Sequence, residues 1–205
     1  MERGISRHVV RFVELNGSYY ALKELPPRLA AREYRLLSEL AVQNVPVVEA
    51  IGTVSERLAA DGEELDSILM TRVLEFALPY RLILGRRVLP APETTIRSAL
   101  AELLVRIHLA GFFWGDCSLS NALFRRDAGA LSAYLVDAET GELHERLSDG
   151  QRRHDLAIAE ENLAGELYDL SAELERDVVE DPFAFAADVA ERYERLWAEL
   201  TLDEV

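Results

Sequence analysis

The chain has 205 residues, of which 49% are hydrophobic and 29% charged, an ordinary balance for one domain or two small lobes. Its net charge of −15 argues against nucleic acid and anionic membrane as partners, because phosphate groups are bound by clustered Lys and Arg. The chain offers only short arginine pairs, so no nucleic-acid partner is predicted.

The composition also bears on compartment and on membrane association. No apolar run approaches the ~18 residues of a membrane span, and residues 1–10 lack the apolar segment of an export signal. Cys117 is the only cysteine, which excludes an intrachain disulfide and a cysteine-cluster zinc site. The sequence therefore predicts a reducing, cytoplasmic location and no membrane span.

The first part of the chain has the pattern of a small antiparallel sheet that carries one helix. Four strand-like runs surround one helical run, in the order 8–15, 18–25, 28–42 (the helix), 45–54 and 67–74. Asn16-Gly17 separates the first two runs and is the pair best suited to a two-residue hairpin turn.

One lysine stands in the second of these strands. The chain has 21 arginines but a single lysine, Lys23. The count leaves open whether this lysine survives by chance or is kept as a compact ammonium. Strand alternation puts it on one face with Tyr19, Ala21 and Leu25, where it either snorkels at an edge or points into a ligand cleft.

The helix that follows carries a carboxylate on its apolar face. Glu33 lies in the middle of the stripe that includes Leu29, Leu36 and Leu37. An inward carboxylate needs a cationic partner, and Lys23 is the nearest cation without another explanation. We therefore predict an ion pair between Lys23 and Glu33, with charged atoms within about 4 Å.

The second part of the chain is predicted to be mainly helical. Helical patterns cover 93–110, 151–174 and 184–201, and residues 76–92 form a connecting stretch punctuated by proline and glycine. A strand-like run, 133–137, lies between the first two helices.

Polar residues suited to phosphate chemistry lie in a loop and at a strand end of this part. Asp116 is followed five residues later by Asn121, and Asp137 ends an apolar run. In phosphoryl transfer an ammonium holds the phosphates, and a carboxylate fixes that ammonium. A loop aspartate orients or deprotonates the acceptor hydroxyl, and the oxygens of an Asn and a second Asp bind magnesium. The candidates for these roles are, in the same order, Lys23, Glu33, Asp116, Asn121 and Asp137.

This order of parts resembles the protein-kinase-like superfamily in its atypical bacterial branch. The closest similarity is to lipopolysaccharide-kinase-like domains, with aminoglycoside-phosphotransferase-like and RIO-like kinases further off. IHLAGFFWGD at 107–116 is similar to that branch's H-x-A-G-x-x-H-x-D run, and A-L-K at 21–23 matches its A-x-K strand. V-D-A-E at 136–139 stands where D-F-G or its variants stand, and D-L-A at 155–157 looks like the motif that buttresses the catalytic loop.

The resemblance implies a bilobal α+β fold with a small antiparallel-sheet N-lobe over 1–75 and a mainly helical C-lobe over 76–205. It implies ATP and Mg²⁺ as cofactors, Asp116 as the catalytic residue, Asn121 and Asp137 as metal ligands, and Ala21 as a residue that lies against the adenine. The acceptor is not readable from the sequence.

The chain departs from the family pattern at three points. Trp114 replaces a packing histidine, and Asp-Ala-Glu replaces D-F-G, which favours a fixed site. Glu139 is then a second metal ligand or a solvated carboxylate, and the latter interpretation is favoured. No Gly-rich phosphate loop is visible, so either the chain is the core of a longer protein with further domains or nucleotide is held without that lid.

The favoured hypothesis is an ATP- and magnesium-dependent phosphotransferase that acts on an unidentified hydroxyl acceptor. The alternative is a pseudokinase, a nucleotide- or partner-binding module without turnover, which the missing phosphate lid favours. A purely structural domain would have no chemical reason to keep all five polar positions. Cys117 is interpreted as a small buried packing residue in preference to a reactive thiol.

Overall fold

The structure is a computed structural model that describes residues 8–86, 88–89 and 92–201. In chain order, its elements are β1 (Val10–Leu15), β2 (Ser18–Leu25), α1 (Pro27–Val42), β3 (Ala50–Val54), β4 (Arg57–Leu58), β5 (Glu64–Leu65), β6 (Ser67–Arg72), α2 (Tyr80–Arg86), α3 (Pro92–Leu109), β7 (Phe112–Phe113), β8 (Ala122–Asp127), β9 (Ala130–Leu135), β10 (Glu142–Leu143), α4 (Asp149–Glu173) and α5 (Pro182–Thr201).

A four-stranded antiparallel sheet forms the N-lobe, with the strand order β1-β2-β6-β3. Asn16 and Gly17 connect β1 to β2 and have φ values of 53° and 78°, the left-handed backbone that a type I′ turn requires. Lys23 of β2 pairs with Val10 on one side and Leu69 on the other, so it lies inside the sheet. The predicted hairpin is confirmed.

Helix α1 covers this sheet and brings one carboxylate into the interior. Pro27 occupies the first turn, where its missing N–H would have no partner within the helix. The buried face of the helix consists of Ala30, Glu33, Leu36, Leu37 and Leu40. The apolar stripe predicted from the sequence is therefore confirmed, with Glu33 at its centre.

The segment before β3 leaves the sheet and joins the two lobes. The strand predicted over 45–54 is shorter in the structure, because residues 46–48 pair elsewhere. Val48 donates its N–H to the carbonyl of Leu135 at 3.0 Å, and Leu135 donates to the carbonyl of Pro46 at 2.9 Å. Leu135 ends β9, so this contact fixes the N-lobe next to the residues that follow β9.

The C-lobe is built on α3, α4 and α5, which enclose a shared apolar core. α3 is buried on most of its surface, and Leu100, Leu104 and Ile107 have no exposed area. Ser148 and Gln151 form a capping box that begins α4. Among the described residues, no helix is both long enough and apolar enough to cross a membrane.

Four elements of the C-lobe are absent from the sequence-based prediction, namely α2, β8 and the two-residue strands β7 and β10. α2 lies in the stretch predicted to be a connection, and its seven residues are too few for a clear helical period. β8 pairs with β9 in register, with Ala122 opposite Leu135, and also bridges to Leu78. Leu78 and Phe124 exchange both backbone hydrogen bonds, at 2.8 and 3.0 Å, which anchors the chain just before α2.

Gly111 is predicted to be the glycine whose replacement costs the most stability. It follows α3 with φ +76°, and a Cβ there would overlap the carbonyl oxygen of His144. Gly111→Ala should lower the free energy of unfolding by roughly 3 kcal/mol or more, since backbone strain and a backbone clash add. Gly129→Ala is the matched control, because its φ of +93° is similar but no atom lies within 4 Å. Urea unfolding of both variants tests this, and equal losses would contradict it.

Candidate active site

Lys23 lies at the centre of a cluster of carboxylates where the two lobes meet. Its Nζ is 3.0 Å from Oε2 of Glu33, 2.7 Å from Oδ2 of Asp137 and 3.2 Å from Oε2 of Glu139. The side chain of Lys23 is 12% exposed and that of Glu33 is 1% exposed. The predicted ion pair between Lys23 and Glu33 is therefore confirmed, and two further acids join it.

The charges in this cluster do not balance, since one ammonium faces three carboxylates. Burial alone would lower the pKa of Lys23, but Glu33 and Asp137 outweigh that effect and raise it. Burial and the negative charge of Asp137 raise the pKa of Glu33 from 4.5 to about 7, although Lys23 acts to lower it. Burial and the surplus of negative charge together keep Glu33 protonated up to a higher pH than a solvent-exposed glutamate.

This shift predicts a pH dependence of stability. Between pH 4.5 and about 7 the folded protein binds a proton at Glu33 that the unfolded chain has lost. Stability therefore falls as pH rises through this window, by on the order of 3 kcal/mol. Urea unfolding at several pH values, compared with Glu33→Gln, measures the effect. The variant should lose this part of the slope, and identical pH profiles for parent and variant would contradict the assignment.

Asp137 and Glu139 reach the cluster from the segment that follows β9. Strand β9 ends at Leu135, so Asp137 lies two residues beyond the strand and not at its last position. Its Oδ1 accepts the backbone N–H of Glu139 at 3.0 Å, which bends the segment towards Lys23. Glu139 also contacts His8, 3.0 Å from Nε2. The favoured interpretation of Glu139 as a solvated carboxylate is therefore wrong, because Lys23 and His8 of the N-lobe both contact it.

The three carboxylates also form a donor set that suits a metal ion. One oxygen each from Glu33, Asp137 and Glu139 lies within 4.8 Å of the others. Clustered carboxylate oxygens are ligands that hard divalent cations prefer. The position of Glu139 in this set is consistent with a role as a second metal ligand, one of the two roles left open by the sequence.

Helix α1 is tied to this segment by two neighbouring residues. Arg32 donates to the carbonyls of Glu139, at 3.3 Å, and Gly141, at 2.7 Å. Glu33 accepts the N–H of Ala138 at 3.4 Å. The orientation of α1 and the position of residues 137–141 are therefore coupled. The contribution of Arg32 was not predicted from the sequence.

A second group of polar residues lies on the loop between β7 and β8. Asn121 donates its Nδ2 to the backbone carbonyl of Asp116, at 3.0 Å, and to the Asp116 carboxylate, at 3.3 Å. The backbone of Asn121 accepts the N–H of Val136 at 3.0 Å, so Asp137 follows directly after a residue bonded to this loop. The predicted Asp-x4-Asn pair is thus one hydrogen-bonded unit beside the segment that carries Asp137.

Asp155 of α4 supports the beginning of this loop. Its carboxylate accepts the backbone N–H groups of Trp114, at 2.7 Å, and Gly115, at 2.8 Å. His108 lies 3.0 Å from the same carboxylate, and both His108 and Asp155 are buried. The buttress implied by the D-L-A motif is present.

Trp114 and Cys117 serve as packing residues around the loop. Trp114 is fully buried and donates its indole N–H to the carbonyl of Asp137 at 3.1 Å, so it joins the loop to the segment that carries Asp137 and Glu139. Cys117 is a buried free thiol whose pKa is raised well above the ordinary value by burial. The interpretation of Cys117 as a packing residue is confirmed.

Ala21 lies on the same face of β2 as Lys23, two residues earlier, and is half-buried. Its role against an adenine stays a prediction. Asn162 and Glu166 of α4 also contact the loop and were not among the predicted site residues. Their spacing of seven and eleven residues from Asp155, on one helix face, is the signal that could have found them.

A sequence model of the lipopolysaccharide kinase (Kdo/WaaP) family matches residues 9–177 of the chain. The chain belongs to the lipopolysaccharide kinase (Kdo/WaaP) family. This match includes every candidate site residue and supports a kinase-like phosphotransferase. A comparison with curated proteins finds no match.

A solved structure gives independent support for the fold of this family member. The structure described as "WaaP in complex with acyl carrier protein" is similar with a TM-score of 0.57 and 20% sequence identity. The similarity covers 96% of this chain and 88% of that chain. The bilobal kinase-like fold predicted from the sequence is confirmed.

Proposed function

We propose that the protein is an ATP- and magnesium-dependent phosphotransferase that transfers a phosphoryl group to a hydroxyl acceptor. The observation that carries this proposal is the convergence of Lys23, Glu33 and Asp137 beside the hydrogen-bonded pair of Asp116 and Asn121. These are the charges and oxygen donors that phosphoryl transfer needs, and the hydrogen bond from the Val136 N–H to the Asn121 carbonyl joins the loop to the segment that carries Asp137. Family membership supports the same class of reaction.

Asn121 and Asp137 are the proposed magnesium ligands. Asn121 uses its amide NH₂ to bind Asp116, which leaves Oδ1 as its oxygen donor. Asp137 is 31% exposed and supplies a carboxylate at the cluster with surplus negative charge. A divalent cation balances that surplus, and when bound it neutralises charge on the nucleotide phosphates.

Lys23 is the proposed phosphate-binding residue. Glu33 holds its ammonium in place at 3.0 Å from the buried side of the site. Ala21, two residues earlier on the same strand face, is proposed to lie against the adenine. Its methyl group offers a small apolar surface suited to a flat base.

Asp116 is the proposed catalytic residue, which accepts the proton of the acceptor hydroxyl. Its carboxylate is half-buried and receives amide hydrogen bonds on both oxygens, from Asn121 and Asn162 at 3.3 Å each. A carboxylate held in this way is oriented towards the acceptor without being tied to a cation. We propose a saccharide hydroxyl as the acceptor class, on the description of the family.

Turnover of radiolabelled ATP, with and without magnesium, tests the proposal. The expected result is magnesium-dependent conversion of ATP to ADP, with the labelled phosphoryl group passing to water when no acceptor is present and to a saccharide hydroxyl when a lipopolysaccharide-type saccharide is added. Absence of turnover, together with retained nucleotide binding, would contradict the phosphotransferase assignment.

Two features, the carboxylates around Lys23 and the short turn between β1 and β2, favour the pseudokinase alternative. Three carboxylates surround the Lys23 ammonium, so a phosphate must displace Asp137 or Glu139 to reach it. In addition, the turn between β1 and β2 has only two residues, and the described part of the N-lobe contains no glycine-rich loop. The turnover experiment decides between the two functions, because a pseudokinase binds without magnesium-dependent release of phosphate.

A further inference from the structure

One face of α4 contacts the loop that carries Asp116 at three successive points. Asp155, Asn162 and Glu166 are separated by seven and four residues, so they share one side of the helix. Asp155 holds the start of the loop through the N–H groups described above. The other two contacts lie closer to the proposed chemistry.

Asn162 contacts the proposed catalytic residue itself. Its Nδ2 donates to Oδ1 of Asp116 at 3.3 Å and to the backbone carbonyl of Cys117 at 3.1 Å. Asn121 donates to the other oxygen, Oδ2, at 3.3 Å. Two amides, one from α4 and one from the loop, therefore fix the orientation of the Asp116 carboxylate.

Glu166 holds the middle of the loop through backbone groups. Its carboxylate accepts the N–H of Leu119 at 2.6 Å and the N–H of Ser120 at 3.1 Å. Burial raises the pKa of Glu166, and the two N–H groups act in the opposite direction. A half-buried carboxylate that binds two successive backbone N–H groups is a costly feature for a loop whose only task is to connect β7 to β8.

We propose that Asn162 and Glu166 are positioning residues of the phosphotransfer site, which hold the Asp116 carboxylate and the Leu119–Ser120 backbone in their working geometry. This inference rests on the function proposed above. Leu119 and Ser120 lie between Asp116 and Asn121, so a shift of their backbone changes the spacing of the proposed base and the proposed metal ligand. The contacts come from a rigid helix, which is the kind of support that a precise site requires.

The test measures ATP hydrolysis, with water as the acceptor, in variants of the two residues. Asn162→Leu removes the amide at similar side-chain volume, and Glu166→Leu removes both acceptor oxygens. Each should lower kcat by about 10-fold or more, because displacement of a reacting group is costly. KM for Mg·ATP should stay within about 2-fold of the parent, because the Lys23 cluster is not touched.

Two further variants make the test specific. Glu166→Gln keeps one acceptor oxygen and should lose less kcat than Glu166→Leu. Glu161→Gln is the matched control, since Glu161 is exposed on the same helix and should leave kcat and KM unchanged. Parent-like kcat in both Asn162→Leu and Glu166→Leu would overturn the proposal. An equal loss of kcat in Glu161→Gln would overturn it too.

Hydrogen exchange of the Leu119 and Ser120 amides separates this inference from the proposed function. These amides should exchange slowly in the parent and in Glu161→Gln, and faster in Glu166→Gln and Glu166→Leu. If the parent does not hydrolyse ATP, the proposed function fails. The role of α4 in holding the loop is still supported in that case if the two amides exchange slowly in the parent and faster in the Glu166 variants. Unchanged exchange in the isosteric Glu166→Gln and in Glu166→Leu would overturn that role whether or not the parent is active.

Discussion

Asp116→Asn is expected to reduce the rate of magnesium-dependent ATP turnover by at least ~100-fold, the usual scale for loss of a positioned general base. The substitution keeps the shape of the side chain, and the amide oxygen still accepts one of the two asparagine hydrogen bonds. Nucleotide binding should therefore be retained, because Asp116 makes no contact with Lys23. Rates from labelled ATP and affinities from calorimetry separate the two effects.

The control for this variant is the same chemical change on the surface of α4. Asp169 is exposed, and Asp169→Asn should leave both the rate and the affinity as they are in the parent. If Asp116→Asn hydrolyses ATP as fast as an active parent, Asp116 has no part in the mechanism. A pseudokinase gives a different pattern, with negligible turnover in the parent and binding unaffected by the substitution.

Asp137→Ala is expected to abolish magnesium-dependent nucleotide binding, whereas Glu139→Ala should weaken it by about 10-fold, the scale of an outer contact to a metal site. Asp137 follows directly after Val136, which is bonded to Asn121, so it is the acid best placed to share a metal with that residue. Glu139 contributes by balancing Lys23 and His8. Calorimetry with ATP, in the presence and absence of magnesium, measures both variants.

Glu145→Ala serves as the control for these two variants. Glu145 is exposed in the segment that follows, and its removal changes the net charge by the same amount as the others. Its affinity should equal that of the parent. Equal losses in Asp137→Ala and Glu139→Ala would identify Glu139 as a direct metal ligand.

Local rules of chain geometry were enough to predict much of the N-lobe. Strand alternation placed Lys23 on a mostly apolar face, at an edge or in a cleft, and helical periodicity placed Glu33 at the centre of an apolar stripe that needs a cation, so their ion pair could be predicted. The turn at Asn16-Gly17 was predicted for a similar reason, because the required backbone angles are a property of those two residues.

The prediction was weaker where an element is short or pairs with a distant part of the chain. α2 has seven residues, and residues 46–48 leave their expected strand because Pro46 and Val48 form backbone hydrogen bonds with Leu135. Neither event leaves a periodic pattern in the sequence. α2 depends on its packing against α3 and β8 within the C-lobe, and the pairing of residues 46–48 depends on how the two lobes meet.

The sequence by itself determined the residue types of the site and their chain order: a strand lysine, an inward glutamate, an Asp-x4-Asn loop and a later aspartate. Only the tertiary structure decided which of their neighbours take part. Asp137 and Glu139 meet Lys23 across more than a hundred residues, and Glu166 meets Leu119 across 47. Periodicity sets the face on which a side chain lies, but its partner on that face is set by the packing of elements far apart in the chain.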